Sequence, residues 1–245
     1  MNWKPPATHR LYEVNDASWP PAEMRQLGPF ILRRGADGGQ RVSSASLCEN
    51  GFSSNDIGAA EQAMVAMAQP LLFMIRDNDR ALDEALENRG YFIKDPVTIF
   101  AGPSATLAEH DPKGLTVIDA TEPLAVMAEI WETGGIAAGR LDVMRRATGA
   151  KACFLGRLND RPAGAAYVGC DNDIAMLHAL EILPELRRKG LALQMMGAMG
   201  AWALRNGADT FSLVVLTKND AACGLYEKLG MVKAGQYHYR KKESL

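Results

Sequence analysis

The spacing of hydrophobic positions changes several times along the chain, and each change predicts an element. Three runs, KACFLGRL from Lys151, AGAAYVGC from Ala163 and IAMLHALEIL from Ile174, have strand character. They are separated by NDRP and DND, so an antiparallel meander is predicted. The stretch from Gly190 to Asn206, with QMMGAMGAWAL inside it, is apolar nearly all round. It predicts a helix covered on most sides, its methionines and Trp202 serving as packing. Asn206 and Gly207, which tolerate the left-handed conformation, end it. TFSLVVLT from Thr210 reads as an apolar strand, and Asn219 or Asp220 as the cap of a short helix stopped by Gly230. MVKA and YHYRKK then predict a closing hairpin through Gly235 and Gln236.

The first half predicts a smaller α/β unit. After Pro20 and Pro21, Ala22 to Leu27 suits a short helix ending at Gly28, with FILRR as a strand, GADGGQ as a turn and RVSSASL as a second strand. Ser54 or Asn55 can cap a helix to about Ala68, PLLFMI is a buried strand, and Asp77 to Asn88 is helical. YFIKDPVTIF supplies one or two more strands, with Pro96 at a break or edge. AGPSATLAEHDPKG has the composition of an exposed connection. The expected division is therefore residues 1–105, a linker at 106–115, and 116–245. The second half opens with the strand LTVID and a helix capped by Thr121 that runs to about Trp131. ETGGI interrupts before a second helix from about Ala137 to Ala147.

Composition narrows the function classes. The 245 residues are 47% hydrophobic and 23% charged, as in an ordinary globular protein, and a formal charge of −2 argues against nucleic acid as a partner. Cys48, Cys153, Cys170 and Cys223 show no C-x-x-C spacing and no nearby His, so no metal site is expected and the thiols read as reduced. No apolar run reaches the length of a membrane span, and MNWKPPATHR lacks the hydrophobic core of a signal peptide. A cytoplasmic protein with no membrane partner is expected.

The chemistry concentrates at LEILPELRRKGLA, Leu180 to Ala192. A strand-like run breaks at Pro184 and a helix starts after Gly190, so orphan N–H groups at a positive dipole end form an anion site. Arg187, Arg188 and Lys189 add charge there, and Gly190 and Ala192 leave room for a bulky phosphate. On its own this is equally a basic turn before a buried helix. The lack of a G-x-x-x-x-G-K-[ST] loop disfavours a nucleotide phosphohydrolase.

The R-x-x-G-x-A pattern here resembles the Q/R-x-x-G-x-G/A signature of the GNAT acyltransferase superfamily, and NDAACGLYEKLGM resembles its N-x-x-A-x-x-x-Y-x-x-x-G-F/M block, with Asn219, Ala222, Tyr226 and Gly230 in register. The resemblance covers about 116–245. It implies an α/β (α+β) GNAT fold, a mixed, mostly antiparallel central sheet flanked by helices, with acetyl-CoA as co-substrate. It places the donor's phosphates on the N–H groups of Arg188 to Leu193, with Leu191 and Ala192 among them, and the pantetheine arm on the backbone of Leu180, Glu181 and Ile182. Asn219, Ala222 and Tyr226 would also touch the donor. Tyr226 is the candidate general acid for the leaving thiolate, the rival role being structural. Glu181 is the candidate base; His178, three residues earlier on a strand, would point to the opposite face. Val214 stands where some relatives place a carboxylate base. Trp131, Ile136, Arg140 and Met144 are candidate acceptor-pocket residues, although a Trp and a Met at helical spacing are more often simply core.

The first half resembles a reduced GNAT domain. Setting Gly90 against Gly230 puts Leu86 at the Tyr226 position and Asp79 at the Asn219 position, with no basic glycine loop. Two GNAT-like lobes in tandem are expected, the N-terminal one degenerate. The expected activity is acetyl-CoA-dependent N-acetylation of a primary amine on a small molecule or peptide. The alternative is a non-catalytic acyl-CoA-binding regulatory or scaffold module.

Overall fold

The computed structural model describes residues 3–112, 114 and 116–243. The elements in chain order are α1 (Thr8–Ser18), β1 (Glu23–Leu27), β2 (Phe30–Arg34), β3 (Ser46–Leu47), α2 (Ser54–Ala66), β4 (Leu71–Arg76), α3 (Arg80–Asn88), β5 (Phe92–Pro103) and α4 (Ser104–Ala108). There follow β6 (Val117–Ala120), α5 (Ala125–Thr133), α6 (Ala138–Arg146), β7 (Lys151–Leu158), β8 (Arg161–Asp171), β9 (Ile174–Ile182), α7 (Leu191–Arg205), β10 (Thr210–Leu216), α8 (Asp220–Lys228) and β11 (Val232–Lys242). The fold is α/β, with a mixed, mostly antiparallel sheet flanked by helices.

Packing divides the chain into two units interleaved along the sequence. Unit 1 is Met1–Pro20, Ile99–Val215 and Asn219–Ala234; unit 2 is Pro21–Thr98, Leu216–Lys218 and Gly235–Leu245. This differs from consecutive segments 1–105 and 116–245 at both ends. Helix α1 belongs with the second half, and most of β11 belongs with the first.

In unit 1 the strands run in the order β5-β10-β9-β8-β7-β6. The β6–β7, β7–β8 and β8–β9 pairs are antiparallel, as the turn signals predict, and β9–β10 is parallel. The apolar helix α7 is buried through Met195, Met196, Met199 and Ala203 in a core with Ala166, Val168 and Phe211. Tyr167, pointing the other way from β8, meets Trp19 just beyond α1 at 5.9 Å between ring centres.

The expected linker contains structure. Helix α4 occupies Ser104–Ala108, and both Ser104 and Leu107 are fully buried. Gly200 and Gly197 of α7 permit this approach, because a Cβ at either would run into the α4 backbone or the His110–Asp111 backbone. The stretch that reads as a loop is thus packed closely against the glycines of α7. Lys113, and Leu115 at the start of the expected strand LTVID, lie outside the described residues.

In unit 2 the sheet β1-β2-β3 is antiparallel, and an Ala45–Phe73 bridge runs parallel to β4. Strand order there continues β4-β11-β5. The core gathers Phe30, Leu32, Phe73 and Ile75 with Ile57, Met64, Leu82 and Leu86 from α2 and α3. Ser53 caps α2 in a reciprocal box with Asp56.

Three expectations are corrected. Residues 23–27 are strand β1, not helix, because Gly28 at φ +54° turns the chain and pairs Leu27 with Phe30. Helix propensity is a weak prior that a strand pairing overrides. RVSSASL gives only the two-residue strand β3 after a 3₁₀ turn at Gln40–Val42. The YFIKDPVTIF segment, expected as one or two strands, lies in one long strand, β5, and the expected break at Pro96 is taken up by Asp95 at φ +45°. β11 is likewise one strand with no hairpin at Gly235, since its residues from Tyr237 pair antiparallel with β4.

Candidate active site

The candidate site is assembled where β9 leaves its neighbours. Parallel pairing between β9 and β10 runs from Ile174–Thr210 to Leu177–Leu213 and ends there. On the other edge, β9 stays paired with β8, Tyr167 opposite His178 and Ala165 opposite Glu181. One residue separates the β8 partners and two separate those on β9, so β9 holds an extra residue. Ala179 within it has φ +53°. The edge of Leu180, Glu181 and Ile182 that would face β10 thus has no ladder partner in this register.

This bulge corrects the orientation of His178. Directly opposed residues of a ladder share a face, and Tyr167 and Ala165 are two apart, so His178 and Glu181 point to the same side. His178 is only 2% exposed, hydrogen-bonded to Ser18 Oγ at 2.8 Å and stacked on Trp19 at 4.9 Å. Glu181 lies against the loop after α5, where a Cβ on Gly134 would fall on its carboxylate.

After β9, Leu186 N–H returns to Leu183 O at 2.8 Å, and Arg188 (φ +63°) and Gly190 (φ +84°) turn the chain into α7. Gln194 N–H bonds Gly190 O at 3.3 Å, so the N–H groups of Leu191, Ala192 and Leu193 are the orphan donors of the helix start. No atom lies within 4 Å of where a Gly190 Cβ would be. Within the protein, glycine is therefore needed there for its left-handed backbone.

The three basic residues of this turn differ. Arg187 donates through Nε to Ile182 O at 3.0 Å and pairs with Glu181 Oε1 at 2.8 Å, so it braces the candidate base. Arg188 and Lys189 are exposed at the start of α7. Asn219 caps α8, its side chain accepting from Ala222 N–H at 3.2 Å. Tyr226 is 6% exposed and its ring lies 5.7 Å from that of Phe100. Burial, and then the neighbouring Cys223, push its phenol well above the usual tyrosine value, so the hydroxyl is neutral and able to donate.

The expected pocket residues have different surroundings. Trp131 is fully buried and its Nε1 donates to Ala179 O at 2.7 Å; Met144 is 1% exposed. Ile136 is 8% exposed and its N–H bonds Trp131 O at 2.8 Å, while Arg140 is half-buried on α6. Sequence reasoning missed Ser18, Trp19, Gly134 and Ala179. Gly134 had a signal, as half of a Gly-Gly pair; the bulge at Ala179 had none. Among the described residues no group of three or more His, Cys, Asp or Glu side chains could hold a metal, and no helix is long and apolar enough to cross a membrane.

A profile of the acetyltransferase (GNAT) family matches residues 121–231, which include the bulge, the glycine turn and Tyr226. An uncharacterized N-acetyltransferase of Bacillus subtilis, YobR, is 25% identical over 247 residues, covering 95% of this chain and 98% of its own. A GCN5-related N-acetyltransferase from Kribbella flavida has a similar fold, with a TM-score of 0.71 at 18% identity over 96% of this chain and 95% of that one. A tandem GNAT protein from the clavulanic acid biosynthesis pathway superposes with a TM-score of 0.60 at 13% identity, over 95% of this chain and 87% of its own. Residues 121–231 thus carry the sequence pattern of the acetyltransferase (GNAT) family, and the protein is an acyltransferase.

Proposed function

We propose that unit 1 transfers the acetyl group of acetyl-CoA to a primary amine of a small molecule or peptide, in the cytoplasm. The observation that carries this reading is the parting of β9 from β10 after Leu177 and Leu213, which leaves the Leu180–Ile182 backbone edge without a β10 ladder partner just before a glycine turn and a helix start. The four free cysteines fit a reducing compartment.

The donor supplies an acyl group activated as a thioester. The orphan N–H groups of Leu191, Ala192 and Leu193 bind its phosphates, with Arg188 and Lys189 beside them. Leu180 to Ile182 orient the pantetheine arm, and an N–H on that edge faces the carbonyl oxygen as charge develops there, a contribution of about 3 kcal/mol. Asn219 and Ala222 shape the start of α8, along which the arm passes. Tyr226, kept neutral by burial, delivers its proton to the departing sulfur. Glu181, braced by Arg187, accepts the proton of the attacking amine directly or through water. Ile136 and Arg140 lie on the segment that bounds the acceptor side.

The test is thiol release from acetyl-CoA against a panel of primary amines, with product mass measured. Amine-dependent release with a gain of one acetyl group is expected. Tight acetyl-CoA binding without turnover on any amine would replace the enzyme by a binding module.

A further inference from the structure

Ala179 sits in a conformation that residues with a Cβ rarely adopt, in the middle of a strand whose flanking residues are ordinary. Such a residue persists only where its surroundings over-determine it. Two sets of contacts grip β9 on either side of it. C-terminal to α1, Trp19 stacks on the His178 ring at 4.9 Å, and Ser18 Oγ lies 2.8 Å from His178 Nε2. Ser18 gives its own proton to Val14 O at 2.6 Å, so it accepts from His178, which carries hydrogen on Nε2. A Cβ at Gly169 would press on Ser18, so the end of α1 is seated directly on β8.

From α5, the indole of Trp131 donates to the carbonyl of Ala179 itself at 2.7 Å. Trp131 is fully buried, and its own carbonyl is held by Ile136 N–H at 2.8 Å. An indole has one N–H donor and no acceptor, and here that donor is aimed at the peptide unit the bulge displaces. The result of the bulge is visible in the register: β9 and β10 pair up to Leu177 and no further, and Glu181 shares the face of His178.

We propose that Trp131 and His178 are positioning residues that hold Ala179 in its left-handed conformation, and so fix the Leu180–Ile182 edge that receives the acyl donor. Trp131 thereby leaves the acceptor pocket and acts through the backbone of β9. The second clause rests on the acetyl-CoA reading above; the first stands on geometry alone.

Trp131→Phe keeps most of the ring volume and removes the N–H. Amide hydrogen exchange at Leu180, Glu181 and Ile182 is expected to quicken about tenfold, as for the loss of one hydrogen bond's local stabilisation, while amides at the centre of the β7–β8 pair stay protected. Acetyl-CoA affinity, measured by calorimetry, is expected to fall about fivefold or more through the same loss. Ser18→Ala withdraws the acceptor from His178 with little change of volume, and is expected to act in the same direction if the Trp131 variant does not fold. Unchanged exchange at 180–182 in a folded variant overturns the clamp. Faster exchange with unaltered acetyl-CoA affinity overturns its link to the donor site. A parent protein that binds no acetyl-CoA sinks the proposed function instead, and the exchange comparison still decides the clamp.

Discussion

In the proposed mechanism Tyr226 joins a chemical role to a structural one at a single side chain. Its ring belongs to the core beside Phe100, and burial holds its hydroxyl in the neutral form across the working range. Tyr226→Phe is expected to lower kcat by about 10²- to 10⁴-fold, the range for a positioned general acid, with little change in acetyl-CoA affinity or melting temperature. Because its pKa lies above the usual value of about 10, parent activity should show no alkaline decline from this group below that pH; a pH–rate profile checks it. A purely structural tyrosine predicts the reverse, a lower melting temperature with nearly normal turnover. The sequence made Gly190, Asn219 and Tyr226 legible because each answers to a local rule: a turn, a cap, a motif position. It misplaced His178 because a period of two assumes an unbroken strand, and the extra residue at Ala179 exists only by virtue of pairing with β8. Ser18 and Trp19 carried no signal, since their importance comes from meeting β8 and β9 far along the chain.

At the scale of elements, periodic segments were read correctly and short or edge segments were not. The meander and α7 bury one consistent set of residues, so their pattern survives in the sequence. Strand β1 is exposed along most of its length, and nothing in its side chains distinguishes it from a helix. The likeness between halves is sharper in geometry than in sequence: Gly90 and Gly230 have φ of +82° and +76°, and Tyr91 N–H to Leu86 O repeats Met231 N–H to Tyr226 O, at 3.0 and 3.1 Å. Within unit 2, β11 is secured by Asp83 of α3, whose Oδ1 takes Arg240 Nε at 2.6 Å and His238 Nε2 at 2.8 Å. Burial opposes its charge, but Arg240 and His238 outweigh it and hold the carboxyl below the usual range. Asp83→Asn, which leaves the 4%-exposed Arg240 poorly paired, is expected to cost about 2 kcal/mol at neutral pH. A lowered folded-state pKa gives stability that is complete above about pH 4 and lost as pH falls through the folded value, so the gap between parent and variant should close in acid. Urea unfolding at pH 7 and pH 3 measures both.

For the whole molecule, the sequence indicated two parts but not that they are interleaved. Unit 2 has Asp79 and Leu86 where unit 1 has Asn219 and Tyr226, and it lacks a basic glycine turn. Calorimetric titration is therefore expected to give one acetyl-CoA site per chain, and two sites of similar affinity would defeat the silent-lobe reading. Residues 116–245 alone would lack Ile99–Pro103 beside β10, the buried Leu107 of α4, and α1. That fragment is expected to show no cooperative thermal transition by circular dichroism, and adding residues 1–115 as a separate chain is expected to restore one. The same exchange of segments sets a timetable for biosynthesis. Domains commonly fold in order as they emerge from the ribosome. Here the facing edges of β4 and β5 stay unpaired until Gly235 to Lys242 arrive to lie between them, so a nascent chain carries two unmatched strand edges until that segment emerges. Unit 1, which needs residues up to Ala234, becomes completable at nearly the same moment. Completion of both units thereby waits for β11, and translation pauses within that strand fall where the exposed edges are most open to capture by a chaperone or by another nascent copy.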